Sequence, residues 1–436
     1  MTKAPPPSAL AVFASFASSA SGASCQEQLS LHLADGLIAL LAGRNSLEGR
    51  ALTDFFTRTE TPALAALSAN AACMRLSEVD DIHRPSAVTA SAIALPVALA
   101  MHDLAASTGA STQRFFDAIF VGHALSIQLA LAMGGARLLA RGLWPSYLVA
   151  PFGAAATAGR MLGLSPERMT HALAIALAQT PRAVGKSSGS RPARWLLFAN
   201  GVKAGYLAAL AAADGVDGDV GLLDAAWLQT VGGDLSDARL LVPEPHTHEL
   251  SIKPHCAAKQ TLSAVHGLMT LIAQGLAPAS IEAMTVSVPP VYAQMIDREP
   301  ASASRLASMV SVRWQLALAA LRPELLDDVS RHIFPGDKAL LDFADKVHVE
   351  ACANLDDEYP STWPARLSVI ASGRPHDILV KNSTGDPNTS FGMDEVKNKA
   401  KRMLKQHAEV NLVSLGLKAA SSADSLEQVC RYCQSG

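Results

Sequence analysis

The chain has 436 residues, about half of them apolar, with 36 basic against 39 acidic side chains and a formal net charge of −3. That length can bury a large core and points to two domains, and scarce aromatics beside abundant alanine and leucine favour helices packed on small side chains. No basic tract with interleaved aromatics is present, which argues against nucleic acid as a partner, and apolar runs such as Ala204 to Ala213 are shorter than a bilayer requires.

Taken in chain order, Lys3 and the run Ala9 to Ala23 have features of a signal peptide. The serine content, with Phe13 and Phe16 on one helical face, suits an amphipathic first helix better, and a cytoplasmic location with no membrane contact is expected. From Ser30 to about Leu241, apolar residues recur at three- and four-residue spacing between glycine and proline breaks, which predicts helices nearly throughout. Gly163 to Arg168 reads as a helix stop and a new start, with Ser165 as cap and Pro166 in the first turn. Segments 172–178 and 202–213 are apolar nearly all round and belong inside a bundle.

The composition changes at Pro243 to His248. After a helix over Gln260 to Gln274, the runs Ile281 to Val288, Lys346 to Ala353 and Ala365 to Ile370 alternate as strands do, with a helix near Ser311 to Leu321 among them. The expected fold class is mainly α, with a large helical domain over 1–246 and a smaller α+β domain over 247–390. The chain then returns over 391–436, where Asp394 to His407 is helical and packs back on the first domain. There is no internal repeat. Six cysteines are scattered, and the lone close pair, Cys430 and Cys433, has no second ligand pair, so reduced thiols fit better than zinc.

The densest chemistry lies between Glu78 and Ser86, where acids, an imidazole and a guanidinium interrupt two alanine-rich helical stretches. Charge at the edge of an apolar wall is where pKa values shift and small anions bind. His83 is the first choice for moving a proton, the alternative being a histidine that orients the loop through backbone bonds. Glu78 and Asp81 are further candidates, and Arg84 either holds a substrate carboxylate or pairs with Asp80 or Asp81. His255 opens a helix and could face a cleft, while its neighbour Cys256 reads as an inert buried thiol. His246 and His248 stand at i,i+2, but no Asp, Glu or Cys has matching spacing, so no metal is expected. Lys186, Arg191 and Arg194 sit in a glycine- and serine-rich stretch before a buried helix, which suits an anion receptor or, as the blander alternative, a solvated basic loop. The glycine-to-lysine spacing of a P-loop is absent. His32, His102, His123 and His171 lie in helical runs as core or surface residues.

Asp80 to Ser86 followed by Ile93 to Ala100 resembles the MmgE/PrpD family. So do Leu33 to Gly43 as its first core helix, Gly153 to Leu164 as its alanine-rich helix and turn, Ile252 to Pro254 where its lid domain begins, and Asp386, Pro387 and Lys399 in its closing segment. The resemblance runs nearly end to end. It implies an all-helical large domain built from both chain ends, a smaller α+β lid, a homodimer, and chemistry on small polycarboxylates without cofactor or metal. In such chemistry a proton beside a carboxylate is moved, and water or carbon dioxide leaves or a centre is inverted. Carried across, the family's acid before the Asp-Asp pair falls on Glu78, and the threonine after the pair falls on Ile82. One family histidine falls on Thr89 and a second on Trp144, the family lysine on Arg194, and a basic residue of the first lid helix on Lys259. Threonine and tryptophan cannot replace histidines as proton movers, and an arginine binds carboxylate well but is a poor base. The expected function is a lyase, dehydratase or decarboxylase, acting on a small carboxylate. Arg84, Thr89, Trp144, Lys186, Arg191, Arg194 and Lys259 would bind it, and Glu78, Asp81, His83 or His255 would move the proton. The alternatives are the same scaffold acting as an isomerase, epimerase or cyclase, and a non-catalytic binding protein.

Overall fold

The computed structural model describes residues 8–106, 111–181, 193–231, 242–298, 305–331, 337–387, 389 and 391–435. Its first half is a succession of helices: α1 (Ala9–Ser19), α2 (Gln26–Arg44), α3 (Leu47–Thr59) and α4 (Pro62–Leu76). After the two-residue strand β1 (Ile82–His83) come α5 (Ala90–Ala106), α6 (Thr112–Ala132), α7 (Pro145–Leu162), α8 (Pro166–Ala178), α9 (Ala193–Ala213) and the short α10 (Leu228–Val231). Local chemistry sets the boundaries. Side chains of Ser8, Ser46, Ser111 and Ser165 each accept an otherwise unpaired N–H in the first turn of the helix that follows. Gly163 ends α7 at φ +70°, where a residue with Cβ is strained.

Small residues let these helices touch through their backbones. A Cβ on Gly205 of α9 would stand 2.0 Å from the Pro151 carbonyl oxygen of α7. Helices α6 and α9, each of 21 residues, are long and apolar enough to cross a membrane, so Ala204 to Ala213 is part of a longer apolar helix than its run suggests. In α6, 94 % of that stretch is buried within the protein, as befits a core helix, against 44 % in α9.

The second half holds β2 (Leu250–Ser251), α11 (Lys259–Ala273), β3 (Ile281–Val288), α12 (Pro290–Ile296), α13 (Arg305–Val310), α14 (Val312–Leu321), α15 (Lys338–Ala344), β4 (Val347–Ala351), β5 (Ala365–Ala371) and β6 (Arg374–Val380). One sheet runs in the order β4-β3-β5-β6, with β3 and β4 parallel and the other pairs antiparallel. β6 is the strand that sequence alternation missed. It is an edge strand with mostly solvated side chains and Pro375 near its start, joined to β5 by a tight turn in which Ser372 and Gly373 both have positive φ. Finally α16 (Met393–Met403), α17 (His407–Lys418) and α18 (Ala423–Ser435) pack against α2, α4 and α5.

Among the described residues two hydrophobic cores result, and the fold is mainly α. One lies among the helices, around Phe13, Phe116 and Phe152. The other packs α11, α12, α14 and α15 on the sheet, around Tyr292, Trp314 and Trp363. The polar segment found in the sequence threads between them: Val79 and Val88 belong to the helical core, Ile82 and Ala87 to the sheet core. Gly205→Ala should therefore force α7 and α9 apart and lower stability by about 1–3 kcal/mol. Urea denaturation measures this, and an unchanged midpoint would refute the backbone contact.

Candidate active site at the seam

Helix α4 stops at Leu76, and Glu78 follows at φ +56°, a conformation disfavoured for a residue with Cβ. Ion pairs hold it there. Glu78 Oε2 lies 3.2 Å from Arg75 Nη1 and 3.8 Å from Lys253 Nζ, and Arg194 Nη2 donates to Oε1 at 2.9 Å. Asp80 Oδ1 shares two of these cations, Arg75 and Lys253, each at 3.2 Å. Burial alone would raise Glu78, but Arg75, Lys253 and Arg194 outweigh it and hold the carboxyl at about 2. Burial pushes Asp80 up despite the same cations, helped by the neighbouring charges of Glu78 and Asp81. The Arg194 guanidinium lies 5.0 Å from the ring centroids of both Trp144 and Trp195, a cation–π arrangement that fixes the plane of its fork.

A second group of charges adjoins the first. Arg84 Nη1 donates to Asn382 Oδ1 at 2.7 Å and lies 3.3 Å from Asp386 Oδ2. Lys259, at the first position of α11, lies 2.7 Å from Asp386 Oδ1 and donates to Ser383 Oγ at 2.6 Å. Burial lowers the Lys259 pKa against the pull of Asp386, and the nearby charges of Arg84 and Lys253 lower it further. Among the described residues, the seam thus holds five cations, Arg75, Arg84, Arg194, Lys253 and Lys259, against three carboxylates, Glu78, Asp80 and Asp386. All but Arg194 are almost fully buried. Uncompensated buried charge is costly, and a bound anion relieves it.

The other residues singled out in the sequence go elsewhere. Asp81 turns into the helical core, where it lies 3.0 Å from His32 Nδ1 and accepts from the backbone N–H of Ser91 at 3.1 Å. Burial raises Asp81, but the bonds and charge of His32 prevail and hold it at about 2. Burial brings His123, beside this pair, down to about 4. Lys399 of α16 pairs with Asp35 and donates to the Val79 carbonyl at 3.0 Å, pinning the segment from the chain's far end. His83 is buried, with Nδ1 2.8 Å from Ser86 Oγ and Nε2 2.8 Å from Glu249 Oε2. Thr89 bonds Ser146 Oγ through its backbone N–H at 3.0 Å, joining the starts of α5 and α7. Lys186 and Arg191 lie outside the described residues.

His255, two residues beyond Lys253, lines a cavity of about 690 Å³ with Asp327, Arg402 and His266. Its Nδ1 lies 2.8 Å from Asp327 Oδ1, and Arg402 Nε donates to Asp327 Oδ2 at 2.7 Å. Nε2 makes no hydrogen bond among the described residues, so a carboxylate-oriented imidazole is left open on a cavity wall. Ser383, the Lys259 partner, lines the same cavity. Sequence reasoning missed Arg75 and treated Lys253 and Asp386 only as parts of motifs. The signal was there, since Arg75 stands in the last turn of an apolar helix three residues before Glu78, and Lys253 stands two residues before His255 in a buried stretch.

Glu78 has a depressed folded-state pKa, so its contribution to stability is present above its unfolded value of about 4 and is lost as pH falls through about 2. The stability gap between wild type and Glu78→Gln should accordingly be widest near neutral pH and close on acidification from about pH 4. Chemical denaturation at several pH values tests this, and a gap independent of pH would contradict it.

Comparison with known proteins gives the family. The profile of the MmgE/PrpD N-terminal domain matches residues 20–232, and that of the MmgE/PrpD C-terminal domain matches residues 255–415. Cis-aconitate decarboxylase from Aspergillus terreus, and its counterpart from strain NIH 2624 of that fungus, are each 31 % identical to this chain over 169 residues. That stretch is 38 % of this chain and 34 % of each relative, so the alignment spans about a third of their length. With both domain profiles matched in order over most of its length, the chain belongs to the MmgE/PrpD family, whose members include lyases of the dehydratase and decarboxylase type.

Proposed function

We propose that this protein is a lyase that removes water or carbon dioxide from a small polycarboxylate by proton transfer beside a carboxylate group. The observation that carries this reading is the excess of buried cations over carboxylates at the seam. Preorganised cations in a site closed to water stabilise a developing carbanion or enediolate far better than they would in bulk solvent. Arg194 and Lys253 grip one carboxylate, with Glu78 fixing their positions. Arg84 and Lys259 stand ready for a second, with Asp386 in the same positioning role.

On the family resemblance Thr89 and Trp144 stand where histidines would, so the proton needs another carrier. Glu78 is held ionised by three cations and is a weak base. His83 has both nitrogens engaged. His255 has one nitrogen held by Asp327 and the other open to a cavity, the arrangement of an oriented general base. We assign it the proton transfer. The sheet-bearing part acts as a lid over the helical part, and the working form is a homodimer in the cytoplasm. An isomerase, epimerase or cyclase would use the same groups without a leaving group.

Proton exchange in deuterium oxide, followed by NMR on citrate-, aconitate- and aminosuccinate-type acids, tests this reading. Wild type should incorporate deuterium or form product with at least one acid. His255→Ala should lose about 100-fold or more in rate, and Arg194→Gln about 10- to 100-fold in kcat/KM. Exchange without elimination would select the isomerase reading. Binding without any exchange would select a binding protein. Sedimentation at micromolar concentration should give a dimer, and a monomer would remove that part of the proposal.

A further inference from the structure

Strand β1 pairs antiparallel with β2, with His83 opposite Leu250, so the 3₁₀ turn Thr247–Glu249 that precedes β2 is brought against His83. Three donor atoms converge there. Glu249 Oε2 lies 2.8 Å from His83 Nε2 and 3.0 Å from His246 Nδ1, and all three lie within 4.8 Å of one another. The imidazole centroids are 5.2 Å apart with the rings tilted by 49°, and both rings are buried, whereas the Glu249 side chain is 56 % exposed.

The outward nitrogens are also held. His246 Nε2 lies 2.9 Å from Gln128 Oε1, an amide oxygen that can only accept. His246 therefore carries its proton on Nε2, and in the neutral ring the Nδ1 lone pair points at a carboxylate oxygen. Two acceptors 3.0 Å apart require a positive species between them. On the His83 side, Ser86 offers both partners: its Oγ lies 2.8 Å from Nδ1 and its backbone N–H donates to Nδ1 at 3.3 Å. His83 can thus donate from Nε2 to Glu249, or move its proton to Nδ1 and present the Nε2 lone pair inward. In the second tautomer, where Nδ1–H donates to Ser86 Oγ and the Ser86 N–H gives up Nδ1, two nitrogens and one oxygen face a single point, with an oxygen acceptor behind each imidazole as behind metal-ligating histidines.

We propose that His83, His246 and Glu249 form a binding site for a divalent transition-metal ion of the zinc class, tying β1 to the turn before β2. Two imidazoles and one carboxylate suit such borderline ions, and three protein ligands leave a further position open toward solvent on the Glu249 side. Ligand atoms about 2.1 Å from a tetrahedral ion stand about 3.4 Å apart, so the exposed Glu249 carboxylate has to draw back by about half an ångström, while the two imidazole nitrogens stand within 4.8 Å of each other. Spacing along the sequence hid this site. It pointed to His246 with His248, whereas His248 is exposed and the partner imidazole arrives from β1.

The test uses the full chain after chelator treatment, titrated with Co²⁺ by visible absorption and with Zn²⁺ by calorimetry. One equivalent should bind, with a ligand-field band for Co²⁺. Glu249→Gln and His246→Ala should abolish the band, and Gln128→Ala should weaken binding about 10- to 100-fold. Glu249 is half exposed, so Glu249→Gln keeps the test decisive should His246→Ala fail to fold. Absence of saturable binding would leave His83 and His246 as plain hydrogen-bond partners of Glu249 and overturn the proposal. Unchanged binding in Glu249→Gln would place the ion elsewhere and overturn it equally.

Discussion

Arg75 bridges Glu78 and Asp80 where both carboxylates are almost fully buried, and the rest of the molecule is arranged around that burial. Removing one partner of such a pair leaves an uncompensated buried ion and costs several kcal/mol. The segment that carries the acids is consequently fixed by a different partner at nearly every residue. Glu78 goes to α4 and α9, Asp80 to Lys253, Asp81 to α2 and α5, His83 to the turn before β2, and Arg84 to the loop before α16. These partners come from both halves of the chain. The seam is complete only when the helical core, the sheet core and the C-terminal return are all in place.

That dependence explains what could be read from the sequence. The helices were legible because their signals are local: Ser165 caps, Pro166 opens, and Gly163 stops. Three of the four strands of the main sheet were legible because apolar positions recur along each and are buried in the sheet core. β6 alternates around exposed positions at an edge and carries no such pattern. The charged seam was legible as a location, since charges clustered between apolar helices must find partners where the two meet. Its wiring was not, because Lys253, Asp386 and Glu249 lie far along the chain from the residues they meet.

The same wiring bears on chemistry. Arg194 stands where the family resemblance places a lysine, and Trp144 where it places a histidine, and the two now stack on one another. A guanidinium held 5.0 Å from the rings of both Trp144 and Trp195 can receive a planar carboxylate in a fixed plane, which a lysine ammonium would hold only as a point charge. The open imidazole of His255 lies two residues from Lys253, so the groups that would hold an anion and move a proton arrive on one short stretch before α11.

The central claim is that the surplus cations of the seam hold a carboxylate. Calorimetric titration of the full chain with citrate, on wild type, Lys253→Met and Arg194→Gln, tests it most directly. One-to-one binding that weakens with added salt and falls about 10- to 100-fold in each folded variant is the predicted result. Equal affinity in all three proteins, or no binding of any polycarboxylate to wild type, would contradict it.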